Sequence, residues 1–130
     1  MSIFTIEHAG LSTKRPIAKL VRDHKCLVDS FIEELKNDKN KKGCLGGLYA
    51  ILEDVGNELL LPENKYKRLR GYDKLRYKPY EIRYKEFRLY TIYDHETGQL
   101  LLIGGDKKSQ NKDLKRIEQI IKEYERFKTR

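Results

Sequence analysis

Residues 80–105 constrain the fold of this chain more than any other stretch. They read YEIRYKEFRLYTIYD, then HETG, then QLLLIGG. Alternating apolar and polar residues, with many aromatic and β-branched side chains, favour two half-buried strands in the first part. The apolar run after Gly98 favours a third, more buried strand, and Gly98 can supply the positive φ of the intervening turn. The sequence therefore predicts a sheet around which the remaining elements pack.

The predicted hairpin places two cations opposite each other. If residues 80–85 and 86–94 pair across a turn at Lys85-Glu86, Arg83 lies directly opposite Arg88. Directly opposed like charges destabilise an antiparallel pair, so an anion bound between the arginines is one explanation. The alternative is that both side chains reach water or pair with Glu81 or Glu86. A three-residue loop would shift this register, and Lys-Glu is not a turn sequence that fixes it.

The excess positive charge lies in the second half of the chain. The formal net charge is +8. Residues 1–64 carry 9 Lys or Arg against 10 Asp or Glu, whereas residues 65–130 carry 19 against 10. This asymmetry indicates a polyanionic partner, either a nucleic acid or an acidic protein, and argues against an acidic small molecule as the only ligand.

Length and composition favour a single domain, residues 1–130, with one hydrophobic core. The first residues do not combine a basic segment with a long apolar stretch, so secretion is not expected. The sequence contains no run of about 18 apolar residues, so no membrane span is predicted. We therefore expect a cytoplasmic protein with reduced cysteines, and we interpret Cys26 and Cys44 as core thiols because neither has zinc-site spacing.

Helical periodicity predicts three helices. Pro16 suits a first helical position, and the apolar stripe that follows it predicts a helix over 16–37. His24 lies on that stripe and is interpreted as a packed or edge histidine rather than a catalytic one. A second helix is predicted over 44–55, forming a hairpin with the first, and a third over 111–127. Residues 3–7 are consistent with a short first strand.

Residues 63–78 form the most basic window of the chain. Seven Lys or Arg stand against two acids, with Tyr66, Tyr72 and Tyr77 between them. Cations interleaved with aromatic rings suit single-stranded RNA, because the cations meet phosphates and the rings stack on bases. The equally weighted alternative is a solvated loop whose tyrosines pack on the sheet edge. The candidate RNA-binding cations of this window are Lys65, Lys67, Arg68, Arg70, Lys74 and Arg76.

Several catalytic motifs are absent from the sequence. It contains no glycine-rich phosphate loop, no His-Glu-x-x-His motif, no zinc-ribbon spacing and no serine elbow. An enzyme built from this chain would therefore work mostly with Arg, Lys and Tyr. Such groups stabilise the developing charge of a phosphoryl transition state without a metal ion.

Four short motifs resemble the RelE/ParE superfamily of bacterial toxin–antitoxin toxins, and HigB-type "addiction module killer" members in particular. The motifs are Tyr-Glu-Ile-Arg at 80–83, Phe-Arg-Leu-Tyr at 87–90, Leu-Ile-Gly-Gly at 102–105 and Asp-Lys-Lys-Ser-Gln at 106–110. They and their surroundings cover roughly residues 65–124. The N-terminal half is matched only by the order of its elements.

The resemblance implies an α+β, RelE-like fold in which an N-terminal helical hairpin packs on a small, mainly antiparallel sheet, with a C-terminal helix. It also implies a ribosome-dependent mRNA endoribonuclease, in which the ribose 2′-OH attacks the adjacent phosphorus without metal or cofactor. Carried onto this sequence, Arg83 and Arg88 would hold the scissile phosphate. Lys107 and Lys108 would stabilise charge or assist proton transfer, and Tyr124 lies where some members carry an aromatic residue.

One departure from the family leaves other functions open. The sequence has no well-placed histidine at the C-terminal end of the sheet, where several members carry one, so the general acid and base are unassigned. The alternatives are a ParE-like toxin that inhibits gyrase, a noncatalytic RNA-binding protein, and a structural or phage-encoded interaction domain. If the chain is a toxin, its partners would be mRNA, the ribosome and a cognate antitoxin, expected to be a helix-turn-helix protein.

Overall fold

The computed structural model describes residues 2–129, which form a mixed seven-stranded sheet with helices on both faces. The predicted α+β class is confirmed. Within the described residues the strands are β1 Phe4–His8, β2 Ile17–Arg22, β3 Lys25–Cys26, β4 Tyr66–Arg68, β5 Tyr80–Tyr84, β6 Phe87–Asp94 and β7 Gly98–Asp106. The helices are α1 Asp29–Lys36, α2 Lys42–Gly56 and α3 Gln110–Lys128.

The strand order is β1-β2-β7-β6-β5-β4, and β3 pairs with β2. Neighbouring strands are antiparallel except for β2 and β7, which run parallel. In the β5–β6 hairpin Arg83 pairs directly with Arg88, as predicted. Lys85 makes this tight turn possible by adopting a φ of 55°, a conformation that only a few per cent of non-glycine residues take.

The predicted helix over 16–37 is wrong for most of its length. Ile17–Arg22 is a strand between β1 and β7, and only Asp29–Lys36 is helical. Ile17 is buried on one face of the sheet and Leu20 on the other, so apolar residues on both faces of a central strand imitate a helical stripe. Asp23 and His24 adopt φ values of 49° and 69° in the turn after β2, which excludes a continuous helix there.

Two further expectations change with that helix. His24 is exposed in a turn and does not pack on an apolar stripe. The helical hairpin is not N-terminal, because three strands precede it; α1 and α2 contact each other but lie between β3 and β4. The remaining expected elements lie close to their predicted positions, namely the first strand, the second helix and the last helix.

Helices cover each face of the sheet through a separate apolar cluster. On one face α1 and α2 pack through residues such as Phe31 and Leu48 against Ile82 and Leu101. On the other face α3 packs through Ile117 and its neighbours, and a loop over 69–79 extends this cover. Each large apolar side chain buried in this way contributes about 1.5–3 kcal/mol. No helix within residues 2–129 has the length and apolar character needed to cross a membrane.

Candidate functional site

Six cations gather at one end of the sheet, where β5 and β7 end and β6 begins. The register places Arg83 opposite Arg88. The Arg83 N–H donates to the Lys65 carbonyl at 2.9 Å, which brings the start of β4 to the same place. The Lys107 N–H donates to the Glu86 carbonyl at 2.8 Å, which brings the turn after β7 beside the hairpin turn. We call this surface the basic end; its members are Lys65, Arg83, Lys85, Arg88, Lys107 and Lys108.

An internal carboxylate lies between the two arginines. Oε1 of Glu81 is 3.1 Å from Nε of Arg83 and 2.9 Å from Nε of Arg88. The Glu81 side chain is only 1% exposed. Of the two sequence interpretations, pairing with Glu81 is therefore observed, and the anion that faces both arginines belongs to the chain itself.

The two arginines have different surroundings. Arg88 is buried, and its Nη1 donates to the carbonyls of Lys85 at 2.9 Å and Phe87 at 3.0 Å. The Nε of Arg88 is close to Glu81 but lacks hydrogen-bond geometry, so that contact is an ion pair only. The Arg83 side chain is 34% exposed. Arg88 thus holds the hairpin turn together, and Arg83 is the arginine that a ligand in solution can reach.

Glu81, which the sequence offered as a partner of the arginines, lies opposite Tyr90, a polar residue of this cluster that the sequence analysis did not single out. They are direct partners across β5 and β6, and both are buried. Within residues 2–129, neither the second oxygen of Glu81 nor the Tyr90 hydroxyl has a hydrogen-bond partner. Burial, together with the negative charges of Glu81 and Asp113, raises the pKa of Tyr90. The same hairpin pairing that predicted the arginine pair also places Tyr90 opposite Glu81, so this signal was present in the sequence.

Lys107 and Lys108 lie in the turn between β7 and α3, and both are exposed. The turn is held by Ser109, whose N–H donates to Asp106 at 3.0 Å and whose hydroxyl donates to Asp113 at 2.6 Å. The positive end of the α3 dipole adds to the local potential. These two lysines are therefore free to contact an anion bound beside Arg83.

Tyr124 is not part of this cluster. It is buried between the rings of Phe4 and Tyr77, and its hydroxyl donates to Asp94. Asp94 ends β6 and Arg88 is near its start. Asp94 is the sixth residue after Arg88 along the strand, so these two residues lie about 20 Å apart. The structure therefore brings together four of the five predicted catalytic residues and places Tyr124 elsewhere.

The basic window supplies exposed cations but not exposed rings. Tyr77 is buried and Tyr72 packs on the same apolar cluster, while Tyr66 stacks on Tyr80 with ring centroids 5.0 Å apart. Burial raises the pKa of Tyr66 to about 12. This is the second of the two sequence interpretations, in which the tyrosines pack on the protein. Of the six predicted RNA-binding cations, Lys67 is half-buried and the others are exposed: Lys65, Arg68, Arg70, Lys74 and Arg76.

The cysteines do not form a disulfide. Cys44 is buried and Cys26 is half-buried, and both are free. Ligand atoms of Glu7, Cys26 and Asp29 lie within 4.8 Å of one another. However, Lys19 forms a 3.0 Å ion pair with Asp29, and burial raises the pKa of Cys26 to about 11. A protonated thiol beside a carboxylate that is already paired with a lysine is a poor ligand set for a metal ion.

Comparisons of the chain with protein-family models, curated proteins and solved structures found no match. Fold and site together define an α+β protein with a cationic end on its sheet. The function is therefore inferred from the chemistry of that end.

Proposed function

We propose that this chain is an RNA-directed toxin of the type II toxin–antitoxin kind, a metal-independent endoribonuclease that cuts mRNA at the ribosome. The observation that carries the proposal is the basic end. There, Arg83, Lys85, Lys107 and Lys108 surround a buried Arg88–Glu81 pair. The sequence motifs that resemble RelE/ParE toxins contribute most of these residues.

The basic end suits a phosphodiester. Arg83 is half-exposed and the three lysines are exposed, so their charges are available to a ligand. A guanidinium binds two phosphate oxygens at once, and lysines add point charges around it. Cations already in place around a phosphorus stabilise the extra negative charge of its transition state without reorganising.

The surroundings of the cations support different roles for them in the proposed reaction. Arg83 and Lys107 would contact the scissile phosphate, while Arg88 would hold the turn that carries them. The reaction forms a bond between the ribose 2′-oxygen and phosphorus and breaks the bond to the 5′-oxygen of the next nucleotide. The 2′-OH proton passes to a base, and the leaving 5′-oxygen gains a proton.

Glu81 is the carboxylate nearest to the two arginines, but its side chain is only 1% exposed, so the base that takes the 2′-OH proton is unassigned. One of its oxygens pairs with the arginines, and the other has no partner within the described residues. The charge of Glu81 therefore positions Arg83 and Arg88 from within the protein. Lys107 or Lys108 would supply the leaving-group proton, in keeping with the role that the resemblance implies for them.

The test is to induce the chain in a bacterium and map the 5′ ends of mRNA. We expect growth arrest with cuts in phase with codons, and loss of both in the Arg83→Ala, Arg88→Ala double variant. Because Arg88 is buried, Arg83→Ala alone is needed as the variant that keeps the fold. Lys39→Ala, an exposed cation outside the basic end, is the matched control and should arrest growth like the wild type.

A second candidate is a noncatalytic RNA-binding protein. It is favoured by the position of Glu81, whose charge offsets one of the two arginines. It predicts salt-sensitive RNA binding with intact mRNA and normal growth. Growth arrest with intact mRNA but blocked gyrase or double-strand breaks would instead support the ParE-like alternative.

A further inference from the structure

A crevice opens between α1 and α3 at the carboxyl end of β7, with a cavity volume of about 300 Å³. Its walls come from α1, the loop after it, the first residue of β6, the last residues of β7 and the first turns of α3. This volume lies at the lower end of the range for small-molecule sites. The crevice is therefore large enough for one flat ring system.

The crevice follows from the strand topology. β2 and β7 are parallel neighbours, but the next helix after β2 packs on one face of the sheet and the next helix after β7 on the other. At such a switch point a crevice forms beyond the carboxyl ends of the strands, and ligands of open α/β sheets bind there. Within the described chain, pairing of β2 with β7 ends at Lys19 and Leu101, although β7 continues to Asp106.

Two glycines fix the shape of the crevice. A Cβ at Gly104 would lie 2.1 Å from the ring of Phe31. A Cβ at Gly105 would lie 2.0 Å from the carboxylate of Asp113. Glycine at both positions therefore allows α1 and α3 to approach the end of β7 from opposite faces.

The walls of the crevice carry complementary and unused groups. Phe31 and Phe87 line it with ring centroids 6.3 Å apart, and because they are only 8% and 4% exposed they support the wall and do not offer open ring faces. Glu34 on α1 and Arg116 on α3 line opposite sides. Within residues 2–129, neither of these two has an ion-pair or hydrogen-bond partner, and they do not pair with each other. A ligand between them needs donors on one edge and acceptors on another.

Guanine has this combination of groups. Its N1–H and N2–H groups donate to a carboxylate, and its O6 and N7 accept from a guanidinium. We infer that the crevice binds a guanine base, with Glu34 and Arg116 as the groups that select it. The inference rests on the proposed function in one respect, because the base would belong to the RNA held at the basic end.

The crevice adjoins the basic end along the strands, although none of the six basic-end residues lines it. Phe87 and Gly105 line the crevice, and Arg88 follows Phe87 and pairs with Gly105 across the strands. Lys107 follows Asp106, another lining residue. A phosphate at the basic end and a base in the crevice therefore fit one nucleotide or its neighbour, which would give the proposed cleavage a preference for guanine.

The test is to titrate the full chain with guanosine and uridine 5′-monophosphates and follow backbone amide resonances. We expect guanosine monophosphate to bind about tenfold more tightly than uridine monophosphate, the effect of one good polar pair. The shifts should centre on Phe31, Glu34 and Gly104. Glu34→Gln should abolish the preference, whereas Glu33→Gln on the exposed side of the same helix should retain it.

A second pair of variants separates binding from misfolding. Ser30 is exposed and lines the crevice, so Ser30→Trp should block it, and Glu33→Trp should not. Equal binding of the two nucleotides to the wild type, or no binding of either, would overturn the inference. Codon-phased mRNA cuts without any guanine preference would overturn the inference and leave the proposed function intact. Tighter binding of guanosine monophosphate with uncut mRNA would support the inference and overturn the proposed function.

Discussion

Glu81 and Arg88 form a buried ion pair, with 2.9 Å between Oε1 and Nε and side chains 1% and 8% exposed. The desolvation energy of a buried ion pair can exceed the attraction between its charges. Removal of one partner leaves an uncompensated buried charge, which destabilises the fold. The pair stands where β5 and β6 meet beside the N-terminus of α3. It links the stability of the hairpin to the charge of the basic end.

The two arginines should therefore respond differently to removal. Arg88→Ala breaks the buried pair and two hydrogen bonds to the turn, and we expect it to lower the free energy of unfolding by about 3 kcal/mol. Arg83→Ala removes a half-exposed partner and should cost less than about 1 kcal/mol. Urea denaturation measures both. Equal losses for the two variants would contradict the separate surroundings seen here.

Glu81→Gln should strengthen anion binding while weakening the fold. It removes the negative charge between Arg83 and Arg88 and leaves both guanidinium groups without a counter-ion. Loss of a charge about 4 Å from a bound anion changes the binding free energy by about 1 kcal/mol in bulk water and by more beside a buried carboxylate, so the affinity should rise at least roughly fivefold. Titration with inorganic phosphate checks this. Glu86→Gln, exposed in the turn, is the control and should change the affinity less.

The hairpin turn should become more stable when Lys85 is replaced by glycine. Lys85 has a φ of 55°, which costs a side chain about 1 kcal/mol that glycine avoids. Thermal denaturation should therefore show a higher midpoint for Lys85→Gly. RNA affinity should fall in the same variant because a cation of the basic end is lost. A lower midpoint would show that Lys85 stabilises the turn through its own contacts.

Acid should weaken the opposite end of β6 through Asp94. Burial opposes its charge, but hydrogen bonds from Tyr124 and the Glu96 N–H and the charge of Lys128 lower the pKa of Asp94 overall. A folded-state pKa below the unfolded value means that this stabilisation is present above about pH 4 and is lost as pH falls through the folded-state pKa. Stability measured from pH 6 to pH 2 should fall less steeply for Asp94→Asn.

Tyr124→Phe separates the stability of the core from the chemistry of the basic end. Loss of its hydrogen bond to Asp94 should lower the free energy of unfolding by about 1 kcal/mol. Because Tyr124 lies far from Arg83, RNA binding and mRNA cutting should be unchanged at a temperature where the variant is folded. Loss of mRNA cutting in a folded Tyr124→Phe variant would show that Tyr124 acts in the reaction, as the sequence resemblance implies.

The sequence predicted the hairpin, and its register followed only from the assumption of a two-residue turn. Alternation in residues 80–94 determines which side chains share a face, and a two-residue turn then pairs Arg83 with Arg88. Burial could not be predicted as readily. Glu81 alternates like a surface residue, yet α3 and the adjoining strands enclose it, because the path of α3 depends on contacts distant in sequence.

In the N-terminal third, β2 was hard to predict because it lies between two other strands of the sheet. Ile17 and Leu20 face opposite apolar clusters, so local spacing does not distinguish a central strand from a helix. The decisive partner of this strand is β7, about 80 residues later in the chain. Tyr124 is a similar case, because its distance from the arginines depends on the direction in which α3 crosses the sheet.

Binding of labelled single-stranded RNA as a function of salt tests the central claim most directly. The wild type should bind with an affinity that falls as salt rises, because phosphate contacts release counter-ions. The Arg83→Ala, Lys107→Ala variant should bind more weakly, with a logarithmic salt slope smaller by about 1.4, since each lost contact contributes about 0.7 for single strands. Lys36→Ala, Lys39→Ala removes two exposed cations elsewhere and should leave the slope unchanged. If the basic-end variant keeps the affinity and slope of the wild type, the basic end does not bind RNA and the proposed function is wrong.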